Sequence, residues 1–239
     1  MISSLFYAIF YQPILNLLVG LYNILPGHDL GVAIVVLTLL IKVILLPFAN
    51  KSLKSQKALQ ILQPKIKEIQ TKYKDDKQRL TQELLELYKR EKVSPFSSLI
   101  PLLIQLPILI ALYRVLIKGL SEEKLSGLYS FIYNPEHLNT ISFGILNLSE
   151  KNLTLAVLAG IAQFIQSKML VQQKPPEEVS KKPGAKDEAM LSIMNKQMLY
   201  FMPAFTVLIG ATLPSGLTFY WFLSTVLTII QQYIFFRKK

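Results

Sequence analysis

The chain contains no cysteine. Disulfides, thiolate metal sites, a cysteine nucleophile and an N-terminal lipid anchor on cysteine are therefore excluded, and the redox compartment is left open. Histidine is nearly absent, and both copies, His28 and His137, fall outside the apolar runs. Charge is scarce as well: 17% of the 239 residues are charged against 51% hydrophobic. That balance is foreign to a soluble globular domain and places the chain in a membrane. The formal net charge of +11 would suggest nucleic acid in a soluble protein. Here membrane topology must explain the basic residues first, and no direct DNA binding is expected.

Five apolar segments reach or approach the roughly 20 residues that cross about 30 Å of hydrocarbon. They cover residues 31–49, 97–117, 153–171, 198–213 and 216–236. The fourth is short, which implies little tilt or a thin bilayer. Pro214, Ser215 and Gly216 supply turn chemistry between the last two. Residues 50–96 hold twelve Lys or Arg, residues 172–197 hold five, and the chain ends in Arg237, Lys238 and Lys239. Residues 118–152 hold Lys118, Lys124 and Lys151. The positive-inside rule then sets the three basic regions in the cytoplasm and the N-terminus outside, and five crossings give the same parity.

The resulting organisation is an all-α membrane protein. Residues 1–28 form an extracytoplasmic amphipathic helix, since Tyr7, Tyr11, Gln12, Asn16 and Tyr22 are mixed with apolar residues and Pro13 interrupts the run. They carry no basic signal region and read as mature protein. Transmembrane helices follow at 29–50, 97–117, 153–171, 198–213 and 214–236. Between them lie a cytoplasmic helical hairpin at 51–96, an extracytoplasmic loop at 118–152 and a flexible cytoplasmic loop at 172–197, with a short basic tail at 237–239. In the hairpin, Leu59, Leu62, Ile66, Ile69 and Tyr73, then Leu80, Leu84 and Leu87 or Tyr88, recur every three or four residues. Lys54, Lys57, Lys65, Lys67, Lys89 and Arg90 lie outside these seams. They either solvate a helix pair beside anionic lipid or form a docking surface for an acidic partner.

Lys42 stands inside the first apolar run, where a lysine costs about 2.5–3.5 kcal/mol on insertion scales. It precedes Asn50 by eight residues, about 12 Å of helix, so snorkelling is one reading. None of the five segments contains Asp or Glu, so no carboxylate within the spans can neutralise it. Its charge then needs water. Thr38 shares its helical face, Gln163 and Gln166 share a face of the third span, and Gln105 sits midway along the second. These groups could line one polar concavity or make separate interhelical hydrogen bonds. The absence of intramembrane acids and of histidine in the spans argues against acid-based proteolysis and a carboxylate proton relay, and no glycine-rich phosphate loop exists. No catalytic residue, metal or cofactor is expected.

The stretches "GVAIVVLTLLIKVILLPF", "QPKI", "PLLIQLPILIALYRVL" and "LPSGLTFYWFLSTVLTIIQQ" resemble, in order and separation, the YidC/Oxa/Alb family of membrane protein insertases. The resemblance implies a five-helix core around a hydrophilic groove that is closed toward the outside and open to cytoplasm and lipid. It implies that Lys42 takes the place of a groove cation that is usually arginine, with Gln166 and Trp221 at groove-facing positions. It also implies that the hairpin receives substrate. Nascent membrane proteins and the bilayer become the partners, with the ribosome and the Sec translocon or a targeting receptor beside them, in a bacterial plasma membrane. The chain departs from the pattern in four ways. Lysine replaces arginine, no large domain precedes the first core helix, no lipobox cysteine is present, and the tail after Phe236 is short. Ribosome contact would then come from the cytoplasmic loops. Readings from other classes are a small-solute anion channel or transporter and a non-inserting assembly chaperone.

Overall fold

The computed structural model describes residues 2–94, 100–121, 125–135, 138–171 and 197–237. The expected flexible loop, apart from Gln197, and the last two residues of the tail lie outside them. The elements are α1 (Ile2–Phe6), a π turn (Tyr7–Tyr11), α2 (Gln12–Ile24), α3 (Leu30–Lys72), α4 (Lys77–Arg90) and α5 (Ile100–Ser121). A small antiparallel pair follows, β1 (Ile141–Ser142) and β2 (Leu146–Asn147), then α6 (Leu153–Val171), a second π turn (Gln197–Phe201), α7 (Met202–Gly210) and α8 (Ser215–Arg237). Among the described residues, three stretches are long and apolar enough to cross a membrane: Ser4–Ile24, Leu30–Leu59 and Ser215–Arg237. Shorter apolar helices run over Leu103–Ile117, Leu153–Met169 and Leu199–Gly210.

Pro13 does not end the N-terminal helix. Its ring occupies the first turn of α2, where a missing N–H costs least, and the wider π turn just before it absorbs the mismatch. Pro203 stands in the same relation to the second π turn. α3 runs for 43 residues, straight through the change from apolar to basic composition near Asn50, with Pro47 and Pro64 inside it. The first apolar span and the first arm of the hairpin are thus one helix. α4 folds back on it after a turn at residues 73–76. Leu62, Ile66 and Leu87 are buried between the two arms, flanked by Ile69, Leu84, Tyr88 and Val93. Leu59, Tyr73 and Leu80, also expected in this seam, are not part of that cluster.

The main core joins the N-terminal helix to α3, α5 and α8. Leu15, Leu18, Val19, Leu30, Ile34, Leu37, Leu112, Leu116, Leu217 and Tyr220 are buried in it. These residues come from the first turns of α3 and α8 and the later turns of α5, so the apolar seal fills one end of the bundle. Further along α3, Val43, Ile44, Leu46 and Phe48 are exposed on the protein surface. The N-terminal helix buries its apolar face in this core and turns its polar residues to the segment after α5. Gln12 and Asn16 donate to the Gly127 carbonyl, Asn16 accepts from the Tyr129 N–H, and Asn23 donates to the Tyr133 carbonyl.

The β1–β2 pair clasps the same end. Asp29 caps α3 by accepting from the N–H groups of Gly31 (2.7 Å) and Val32 (3.1 Å), and its second oxygen accepts from the Phe143 N–H at 2.7 Å. Ser142 Oγ, fully buried, accepts from the Gly31 N–H at 2.6 Å. A Cβ on Gly31 would lie 2.7 Å from that oxygen, so glycine permits the approach. On the other side, Ser215 Oγ donates to the Asn147 carbonyl, and the N–H groups of Ser215 and Gly216 donate to the carbonyls of Glu150 and Leu148. Loop carbonyls thereby satisfy N–H groups that the start of α8 leaves open.

Candidate functional site

Lys42 lies beyond the apolar seal, on the α3 face turned toward α8. Its Nζ donates to Thr228 Oγ1 at 2.8 Å. The Thr228 hydroxyl donates in turn to the Ser224 carbonyl of its own helix, also at 2.8 Å. Among the described residues no carboxylate pairs with Lys42: the ion pairs there are Lys65 with Glu91 and Arg79 with Asp76, both in the hairpin. A second polar bridge between the same helices follows two turns on, where Gln231 Nε2 donates to Asn50 Oδ1 at 3.0 Å. Gln105 of α5 also reaches α8, donating to the Tyr220 hydroxyl at 2.9 Å.

The other residues singled out from sequence fall around this seam with different roles. Thr38 is buried, but its hydroxyl donates back to the Ile34 carbonyl at 2.6 Å and so serves its own helix. Gln163 and Gln166 are half-buried on α6, a helix packed along α7 and α8. Trp221 is half-buried on α8, and its carbonyl accepts from Thr225 Oγ1. Gln163 and Gln166 thus lie on a helix packed against α8, Gln105 bonds to α8 directly, and α8 is the common element. On the hairpin, Lys54, Lys65, Lys89 and Arg90 are exposed, and Lys57 and Lys67 are partly so. Lys65 is engaged by Glu91 at 3.0 Å, which leaves the remaining basic groups as the outward charge.

Sequence reasoning missed the polar character of α8. Thr218, Trp221, Thr225, Thr228 and Gln232 recur every three or four residues, with Ser224 and Gln231 beside them. Thr218, Ser224, Thr225 and Gln232 are buried, and Gln232 Oε1 has no hydrogen-bond partner. The periodicity is present in the sequence, but hydroxyls and amides on an apolar helix are less conspicuous than a carboxylate would be. Arg114, a second cation within an apolar span, was also passed over; its guanidinium sits 5.3 Å from the centre of the Phe6 ring, a cation–π contact with the N-terminal helix.

Fold and site together define a multi-pass helical membrane protein with a lysine held by a hydroxyl at a polar interhelical seam. The chain matches the 60Kd inner membrane protein family over residues 21–239, and it belongs to that family. It is 34% identical over 210 residues to the membrane protein insertase YidC of Fusobacterium nucleatum subsp. nucleatum, covering 88% of this chain and 87% of that one. The insertase YidC of Francisella philomiragia subsp. philomiragia is 33% identical over 207 residues, where this chain spans 32% of the relative's length. Among solved structures, the active YidC insertase crystal structure with its first transmembrane domain resolved superposes with a TM-score of 0.61 at 25% identity. That match covers 99% of this chain and 47% of the other.

Proposed function

We propose that this protein is a membrane protein insertase that passes short hydrophilic segments of nascent membrane proteins across the bilayer, without nucleotide hydrolysis, through a groove beside α8. The observation that carries the reading is the Lys42 seam: a cation held by a neutral hydroxyl, with no acid beside it among the described residues, where the apolar seal at one end of the bundle gives way. A cation in that setting attracts an anion that arrives from elsewhere. The extracytoplasmic tail of a substrate, often acidic, enters the groove from the cytoplasm, and polar groups on α3, α5, α6 and α8 replace some of the water its backbone leaves. The adjoining apolar segment partitions into lipid, and burial at about 25 cal/mol per Å² drives the tail outward. The membrane potential assists an acidic tail.

In this reading five helices span the membrane, the N-terminal helix lies at the outer surface and the hairpin projects into the cytoplasm of a bacterial cell. Exposed basic residues on α3 and α4 support contact with a ribosome, the Sec translocon or a targeting receptor. The test is insertion of a single-span substrate with an acidic N-tail into proteoliposomes, scored by protease protection. Wild type and Lys42→Arg protect the substrate, and Lys42→Gln does so poorly. Equal protection by all three removes the attraction step, and anion leakage without protection replaces the insertase with a channel.

A further inference from the structure

Thr228 belongs to the polar run of α8, and its hydroxyl is committed twice. Its proton goes to the Ser224 carbonyl at 2.8 Å, so only its lone pairs are left for Lys42 Nζ, also at 2.8 Å. A hydroxyl oriented this way accepts from an ammonium and carries no charge to cancel it. We infer that Thr228 is a positioning residue that holds the Lys42 ammonium at the α3–α8 seam without neutralising it, so that the remaining N–H donors face an incoming carboxylate. This rests on the insertase reading above, and it assigns the preference for acidic over neutral tails to the pair and not to Lys42 alone.

The alternatives at position 228 show why the residue type matters. A carboxylate would hold Lys42 as firmly but consume its charge. An apolar side chain would release a four-carbon stem whose ammonium reaches for water along the roughly 12 Å of α3 toward Asn50. Thr228 does neither. Ser224 and Gln231, which flank it on α8, do not substitute: the Ser224 side chain is hydrogen-bonded to Tyr220, and Gln231 is engaged with Asn50 Oδ1 at 3.0 Å.

The experiment uses the full chain in proteoliposomes and two substrates that differ only by Asp→Asn changes in the tail. The readout is the ratio of protected acidic-tail to protected neutral-tail product. Thr228→Val lowers this ratio on the order of tenfold, the loss expected for one hydrogen bond to a charged group. Thr228→Ser, which keeps the acceptor, restores it. Should the valine variant not fold, Thr228→Ala is read in its place. A purely structural role lowers both products in proportion and leaves the ratio at the wild-type value, which overturns the inference. If Lys42→Gln loses the preference while Thr228→Val keeps it, the inference fails and the insertase reading stands. If Lys42→Gln also keeps it, the attraction step itself has failed.

Discussion

Asp29 offers the sharpest quantitative test of how the closed end of the bundle is held. Its carboxylate caps α3 and ties it to the β1–β2 turn through the Phe143 N–H and the Ser142 hydroxyl, while Ser142 Oγ shares the Gly31 N–H with it. Replacing Asp29 with alanine removes an N-cap, about 1 kcal/mol, and a solvent-accessible charge-assisted bond, about another 1 kcal/mol. For a chain of this length, about 2 kcal/mol moves a melting midpoint by about 4–8 °C. Partial burial pushes the Asp29 carboxyl up, but hydrogen bonds from the Ser142 hydroxyl and the Phe143, Val32 and Gly31 N–H groups outweigh it and hold the group below 3.8. A depressed carboxylate contributes stability above its unfolded value and loses it as pH falls through the folded one. The gap between wild type and Asp29→Ala is therefore full at neutral pH and closes as the medium is acidified below 3.8. Thermal unfolding of detergent-purified protein across pH measures both. Equal midpoints at neutral pH, or a gap that persists in acid, would falsify the capping argument.

Two further substitutions test other parts of the fold. Leu87→Ala opens the small core between α3 and α4, where Leu87 is 2% exposed, at a cost of about 2 kcal/mol or more; limited proteolysis should cut the hairpin faster while the membrane-embedded helices stay protected, and an unchanged rate would rule that packing out. Gly160→Ala places a Cβ against Val207 and 3.2 Å from the Pro203 carbonyl, so α6 and α7 must separate at about 1–3 kcal/mol. A midpoint equal to wild type would mean that the two helices are not seated this closely.

The parts of the fold governed by local periodicity were legible in the sequence. Leu62, Ile66 and Leu87 could be assigned to a hairpin seam because residues three or four apart share a helical face, whatever the hairpin packs against. The continuity of α3 was not legible, because a switch from apolar to basic residues reads as a boundary between membrane and water. Backbone hydrogen bonding does not register that switch: from Asn50 to Leu53 no glycine or proline intervenes, and the helix continues. For the site, Lys42 could be found alone, since a charge in an apolar run is conspicuous. Its partner Thr228 is 186 residues away and chemically modest, and only packing of α3 on α8 selects it from the other hydroxyls of α8. The N-terminal helix was expected to have one apolar and one polar face, but which loop its polar face would engage depended on contacts more than a hundred residues away, as between Gln12 and Gly127.

The unbroken α3 is a lever with its fulcrum inside the membrane. Pro47 removes one rung of the helical ladder five residues beyond Lys42, and the turn at Tyr73 lies about 40 Å further along the axis. A bend of about 10° at that proline sweeps the far end sideways by about 7 Å, while Lys42 before it keeps its contact with Thr228 and Asn50, three residues past it, shifts by about 1 Å. Under the proposed function, a partner that takes hold of the hairpin is carried sideways while the Lys42–Thr228 contact stays in place, so motion of the tip is mechanically insulated from the ammonium.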